Sequence, residues 1–259
     1  MSPVDVVLLV VPCYNEAARL DATAFTSMVD EIAGLNFLFV DDGSHDGTAE
    51  IHQRLCAARP ARIASLTLQC NQGKAEAVRQ GLLRALAGPA AGVGYLDADL
   101  ATPPSEVQRL CALFQGQDRF DVLLASRVKL IGRSIDRRAG RHYLGRVFAT
   151  AASLVLRMPV YDTQCGAKLL RRSPALTHAL ATPFRGRWTF DVELLGRLVT
   201  GAPGIAPVPP QRIHEEPLLV WRDVGGSKLN PTQVLQAGLE LALIGRDLAR
   251  QRRSRCPKR

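Results

Sequence analysis

Three observations in the sequence predict an α/β fold with a mainly parallel sheet flanked by helices. Aliphatic, β-branched runs alternate with helix-patterned stretches of about ten to fifteen residues. The first run, Val4 to Val11, is apolar on almost every position, as a strand covered on both faces requires. Three polar clusters each follow such a run directly: Tyr14-Asn15-Glu16, Asp41-Asp42-Gly43-Ser44 and Asp97-Ala98-Asp99. Open α/β sheets bind ligands beyond the carboxyl ends of their strands, so these clusters are expected to share one edge and one site.

The remaining strands are expected at Phe37 to Val40, Ile63 to Leu68, Val93 to Leu96 and Val122 to Ser126. Helices are expected from Leu20 to Gly34, from Ala49 to Ala58 and from Gly73 to Ala87. Thr102-Pro103-Pro104 reads as a turn away from the fourth strand. Beyond residue 126 arginines accumulate, and Tyr143 to Met158 reads as an amphipathic helix. Its polar stripe is Arg146, Thr150, Ser153 and Arg157, with Val147, Phe148, Ala151, Leu154 and Val155 on the apolar side. A second apolar helix, Thr232 to Leu248, runs into Arg250-Gln251-Arg252-Arg253-Ser254-Arg255. The expected division is a catalytic domain over 1–230 and a C-terminal amphipathic helix with its basic tail over 231–259. That last segment belongs either to the same domain or to a membrane-surface appendage.

Composition narrows the class. Hydrophobic residues make up 47% of the 259, enough for a substantial core. The six cysteines show no Cys-x-x-Cys spacing, which argues against zinc and against a disulfide framework and fits a reducing cytoplasm. The start of the chain has no signal-peptide pattern, and no apolar run reaches the length of about eighteen residues that crosses a bilayer. The net charge of +9 favours anionic partners. With 5% aromatic residues and no basic stripe interleaved with stacking residues, nucleic acid is not expected among them.

The chemistry begins at Asp97 and Asp99. If both continue the strand, residues two apart point to one side and the two carboxylates can converge on one ligand. Such a pair suits a hard divalent cation that also binds substrate phosphates. The usual nucleotide motifs are absent: Pro12-Cys13-Tyr14-Asn15-Glu16 replaces a Gly-x-Gly-x-x-Gly turn, and Gly73-Lys74-Ala75 lacks the hydroxyl of a P-loop. There is no glycine-rich loop of a nucleotidyltransferase and no Gly-x-Ser-x-Gly elbow.

Pro12 to Glu16, Val40 to Thr48 and Asp97-Ala98-Asp99 together resemble glycosyltransferase family 2 of the GT-A (Rossmann-like) fold. Asp162-Thr163-Gln164-Cys165-Gly166-Ala167-Lys168-Leu169, Trp188 to Leu195 and Gly226-Ser227-Lys228-Leu229 narrow the likeness. They look like dolichyl-phosphate glucosyltransferases and their bacterial polyprenyl-phosphate relatives. The resemblance implies a UDP-sugar or GDP-sugar donor, with Pro12, Tyr14, Glu16 and Asp41 lining base and ribose. It implies that Asp97, Ala98 and Asp99 meet the diphosphate and a Mg²⁺ or Mn²⁺, with Asp97 and Asp99 as metal ligands. Arg127 matches a phosphate-contacting arginine, and Arg222 and Lys228 match a basic pair that closes over the diphosphate. Arg138 is carried over as an acceptor-phosphate ligand. Gln164 and Lys168 sit in a family motif in which they either meet substrate or hold the loop. Asp191 is a possible base or acceptor-positioning group, its bland alternative, shared with Glu193, being a solvated helix face.

Leu100-Ala101 after the aspartates and Glu76 after Gly73-Lys74 depart from the glucosyl pattern. The expected enzyme is an inverting hexosyltransferase that passes glucose to a polyprenyl or dolichyl phosphate. It would work peripherally at the cytosolic membrane face. A family member with a GDP-mannose donor or a soluble acceptor is the first alternative, and a catalytically silent membrane-surface interaction module the second.

Overall fold

The computed structural model describes residues 5–136, 139–224 and 231–255. The N-terminal half alternates strictly: β1 (Val7–Cys13), α1 (Ala22–Glu31), β2 (Leu35–Asp41), α2 (Thr48–Ala58), β3 (Ile63–Thr67), α3 (Lys74–Leu86), β4 (Gly92–Leu96), α4 (Pro104–Gln115) and β5 (Val122–Ser126). The remainder adds β6 (Ser134–Ile135), α5 (Ala139–Leu156), β7 (Ala167–Arg171), α6 (Pro174–Leu180), α7 (Phe190–Thr200), β8 (Ile213–Pro217), β9 (Val220–Trp221) and α8 (Pro231–Arg255).

Seven strands form one sheet in the order β3-β2-β1-β4-β7-β5-β8, and β6 pairs with β9 separately. The chain leaves β1 towards β2 and β3, then returns to place β4 on the other side of β1. That reversal is the switch point at which such sheets hold ligands. Pairing is parallel except at β7, which runs antiparallel between β4 and β5. β7 was not expected from the sequence, because Lys168 interrupts its apolar pattern; the lysine is nevertheless fully buried. α4 was also missed. Pro104 starts this helix rather than breaking it, since the first helical position needs no N–H.

Apolar side chains cover both sheet faces. On one, Phe25 of α1 packs edge-on against Phe37 and Phe39 of β2, with centroids 5.1 and 5.0 Å apart. On the other, Val10, Val40 and Tyr95 meet α3 and α7. α5, α7 and α8 pack together at the C-terminal side. The expected stripe on α5 is corrected here. Ala149, Ala152 and Leu156 face inward, while Val147 (68% exposed) and Leu154 (75%) face outward beside Arg146 and Thr150. Ser153 is turned in and donates to the Ala149 carbonyl. α8 buries Leu241, Ile244 and Leu248 and leaves Leu235 (68%) and Leu239 (61%) outside.

One side chain locks α8 in place. Glu240 Oε2 accepts from Thr189 Oγ1 at 2.8 Å and from the Thr189 and Trp188 amides at 3.2 and 3.3 Å. It thereby satisfies donors at the start of α7 and sets a negative charge there. Glu240→Ala leaves those donors buried and unpaired. Urea unfolding is expected to show a loss of about 1–3 kcal/mol with an unchanged m-value.

Candidate active site

The first two polar clusters are stitched to each other. Asn15, at φ +52°, accepts from the His45 amide and donates its own amide to Ser44 Oγ. The Glu16 amide donates to Thr48 Oγ1 and the Ala17 amide to Asp46 Oδ2. Asp41 is buried, with Oδ1 accepting from the Ser44 amide at 2.9 Å. Asp42 accepts from the Gln72 and Gly73 amides at 2.8 Å each, tying the second loop to the start of α3. Burial raises its pKa against the pull of those two bonds. Gly43 is obligatory: at φ +71° it passes the Cys70 backbone so closely that a Cβ would stand 2.7 Å from the carbonyl carbon. Tyr14 stays exposed and Pro12 half-buried at the rim. Glu16 is gripped by Arg19 at 2.6 and 2.9 Å, yet burial leaves its pKa raised.

The third cluster differs from the strand geometry expected of it. β4 ends at Leu96, so Asp97 and Asp99 lie in the following loop, where Leu100 takes φ +50°. Ala98 is buried between the two half-exposed carboxylates. The pair still shares a field: burial first, and then Asp97, raise the pKa of Asp99, whose Oδ1 accepts from the Ala101 amide. Lys74 Nζ lies 2.5 Å from Asp97 Oδ1. Its protein surroundings pull its pKa down, but Asp97, with Asp191 and Asp99 behind it, carries it above the usual value. Gly166 lets the loop close, because a Cβ there would stand 2.0 Å from Asp97 Oδ2.

These residues fit a divalent cation. Two carboxylates with one residue between them, one of them seated against Gly166 where a Cβ would not fit, supply the hard oxygen ligands such a cation takes. Among the described residues no group of three or more His, Cys, Asp or Glu forms a self-sufficient cage.

Asp191 is not on a solvated helix face, and neither is Glu193; both are buried. Asp191 Oδ1 takes Lys168 Nζ at 2.7 Å and the Tyr95 hydroxyl, while Gln164 Nε2 approaches Oδ2 at 3.4 Å. Burial and Asp191 together hold the Tyr95 phenol far above its usual pKa, so it remains a donor. Glu193 accepts from the Arg185 and Gly186 amides and pairs with Arg197. Arg127 is committed to a carboxylate: Nε and Nη2 reach the two oxygens of Asp162 at 2.7 and 2.8 Å. Its pKa is raised by Asp162 against the cost of burial. Glu215 holds that carboxylate's backbone through the Tyr161 and Asp162 amides. The Arg222 amide donates to the Ala101 carbonyl, so this exposed arginine stands over the loop that carries Asp99. Arg138 and Lys228 lie outside the described residues.

Beside this cluster opens a cavity of about 400 Å³ between α5 and α8. Leu144, Val147, Phe148, Trp188, Val234 and Leu241 make most of its wall, and Arg127, Arg146, Asp162, Thr163 and Gln164 supply its polar lining. Gln164 is the link between the groove and Asp191.

The structure therefore brings Tyr14, Glu16, Asp41, Asp97, Asp99 and Arg222 to the switch-point edge, and Asp191, Gln164 and Arg127 to the groove side. Sequence reasoning missed Lys74 and Tyr95. Lys74 had been read only as a failed P-loop, although a lysine opening a helix opposite two aspartates was already a signal. Tyr95 carried none, because on an apolar strand it looks like core.

Paired aspartates and an opposing lysine at the switch point of an α/β sheet, with an apolar cavity beside them, form a ligand site where such sheets hold ligands. The model "Glycosyl transferase family 2" matches residues 8–177, and the chain belongs to that family. It is 31% identical to a dolichyl-phosphate beta-glucosyltransferase of Mus musculus over 94% of this chain and 76% of that one. Over 54% of the chain and 46% of the relative it is 32% identical to an undecaprenyl-phosphate 4-deoxy-4-formamido-L-arabinose transferase of Aeromonas hydrophila. The fold is shared with glucosyl-3-phosphoglycerate synthase of Mycobacterium tuberculosis in complex with UDP, with a TM-score of 0.63, 19% identity, and 93% and 80% of the two chains covered. The same enzyme solved with Mn²⁺ and UDP-glucose aligns with a TM-score of 0.58 at 21% identity, covering 97% and 79%.

Gly166→Ala pushes a methyl into the Asp97 carboxylate. Calorimetric titration with Mn²⁺ and UDP is expected to show affinity lower by at least about tenfold, which corresponds to 1.4 kcal/mol, in a protein whose far-UV circular dichroism is unchanged.

Proposed function

We propose that this protein is an inverting hexosyltransferase that moves glucose from UDP-glucose to a polyprenyl phosphate at the cytosolic membrane face. One observation carries the reading: the apolar groove is lined by Gln164, whose amide reaches Asp191, and Asp191 acts in turn on Lys74 at the acid–lysine end of the switch point. A nucleotide sugar fits the acid–lysine end and an apolar chain with an anionic head fits the groove.

On this reading Pro12, Tyr14, Glu16 and Asp41 cradle base and ribose at the loops after β1 and β2. Asp97 and Asp99 would hold a Mg²⁺ or Mn²⁺, which when bound supplies Lewis-acid stabilisation to the departing diphosphate. Lys74 and Arg222 stand where negative charge builds on the leaving group, and fixed positive charge there lowers the barrier. Lys228 is assigned to the same task by its family motif. A phosphate monoester, with a second pKa of about 6, is largely dianionic at neutral pH and needs no strong base. Asp191, with one oxygen taken by Lys168 and Tyr95, orients the acceptor through Gln164 instead of removing a proton. A single in-line displacement then inverts the anomeric carbon.

Among the described residues no helix is long and apolar enough to cross a membrane. We assign membrane contact to the outward faces of α5 and α8. Along α5 the exposed Val147 and Leu154 fall in sequence between exposed Arg146 and Arg157, and on α8 the exposed Leu235 and Leu239 share a helix with Arg250 and Arg253 further along, a combination that suits an anionic lipid surface. α8 is then part of the catalytic domain.

The decisive assay offers a panel of nucleotide sugars with polyprenyl phosphate and Mg²⁺ or Mn²⁺. UDP-glucose is expected to give the highest kcat/KM, and Asp99→Ala to lose at least a hundredfold. Metal-dependent turnover of none of the donors sinks the enzyme reading. Asp191→Asn leaves the buried Lys168 ammonium without its anion, so a lower melting temperature is expected; in the folded enzyme kcat is expected to fall by less than about tenfold, whereas loss of a general base costs about 10²–10⁴. Flotation with anionic liposomes is expected at low salt, to weaken at high salt, and to fall in the Leu235→Ser, Leu239→Ser double variant.

A further inference from the structure

Among the described residues, two polar side chains in the groove have no hydrogen-bonding partner. The Arg146 guanidinium lies over the Tyr161 ring, with Cζ 3.8 Å from its centroid, and makes no side-chain hydrogen bond or ion pair among the described residues. Stacking on a ring leaves the in-plane N–H groups of an arginine free to donate. Thr163 is 1% exposed, and its Oγ1 is buried without a partner. A buried hydroxyl left unpaired in a native fold calls for an explanation.

The neighbouring charges are already spent. Arg127 and Asp162 neutralise each other through two short bonds, and Glu215 is occupied by the Tyr161 and Asp162 amides. Among the described residues, Arg146 therefore brings the groove a positive charge without an ion-paired partner, and Thr163 an uncommitted donor, beside the apolar side chains that make most of its wall. This combination selects a ligand with a compact oxyanion at one end and hydrocarbon at the other. Guanidinium matches phosphate oxygens in geometry as well as charge.

We infer that Arg146 and Thr163 seat the phosphate of the acceptor, an inference that rests on the lipid-phosphate reading above. The hydrocarbon then runs between α5 and α8 along Phe148, Val234 and Leu241, and the phosphate lies on the Gln164 side, next to Asp191. Arg127 shapes this seat through Asp162 without itself carrying free charge to it.

The test is steady-state kinetics with farnesyl phosphate in detergent as acceptor and glycerol 3-phosphate as its tailless counterpart. Arg146→Leu is expected to raise the acceptor KM by about tenfold to a hundredfold, the usual range for a lost charge-assisted bond, with the donor KM unchanged. Arg146→Lys is expected to recover part of that loss. Thr163→Val, nearly isosteric, is expected to raise the acceptor KM several-fold at an unchanged melting temperature. Glycerol 3-phosphate is expected to saturate only at far higher concentration than farnesyl phosphate. If the wild type turns over farnesyl phosphate and neither variant changes its KM, the seat lies elsewhere and only this inference falls. Equal KM values for the two acceptors would also overturn it, since the groove would then play no part. A wild type inert towards both acceptors, yet folded and able to bind nucleotide, overturns the lipid-phosphate reading and this inference together.

Discussion

A buried ammonium requires an anion, and the Lys168–Asp191 contact supplies it. Lys168 has no exposed surface, and its Nζ also donates to the Cys165 carbonyl. Removing one member of such a pair leaves a bare charge in the core, at a cost of about 3–5 kcal/mol. The pair joins β7 to α7, and Tyr95 adds β4, directly opposite Lys168 in the antiparallel register. Three segments distant in sequence are fixed by one carboxylate oxygen. A packed apolar cluster of equal volume could hold these elements together as well. It could not set a carboxylate between the Asp97 loop and the groove. At this point the stability of the fold and the placement of the site are one constraint.

The charge distribution follows a related rule. Much of the positive excess is structural. Arg171 donates to the Phe114 and Phe120 carbonyls, Arg172 to Leu86 and Ala90, and Arg197 to Ala179 and Thr182. These are the ends of α4, α3 and α6 with the turns beyond them, where helices leave carbonyls unsatisfied and cations are favoured by the dipole. Net charge alone overstates how much of the surface is free to attract an anion. The cations that matter for binding are those the scaffold has not used.

This explains what was legible in the sequence and what was not. β1 to β5 could be read because parallel strands covered on both faces are continuous apolar runs, and the polar clusters that end them stand out against those runs. β7 could not be read, because its lysine is paid for by a partner 23 residues away. Asp191 could not be separated from a solvated helix residue, since its burial depends on that same partner and on helices packed around it. On α5 the hydropathy pattern pointed the wrong way. Helices that approach closely put small residues at the contact, so Ala149 and Ala152 went inside and the larger Val147 and Leu154 outside. Motif resemblance pointed to the residues assigned to the donor, whereas the groove proposed for the acceptor needed three dimensions.

That inversion on α5 has a physical implication for the proposed acceptor. A helix exposed only to water gains by hiding its largest apolar side chains, each worth about 1.5–3 kcal/mol on full burial. α5 hides alanines instead, and α8 leaves Leu235 and Leu239 outside while burying Leu241, Ile244 and Leu248. The two helices also form the walls of the groove, with Val147 and Val234 among its lining. A polyprenyl chain cannot cross water without exposing its hydrocarbon, so a groove that receives one must open where the chain already resides. On the proposed reading the outward leucines and the groove lining belong to a single surface requirement: the helices assigned to the lipid surface are the ones that would pass the acceptor inward towards Asp191.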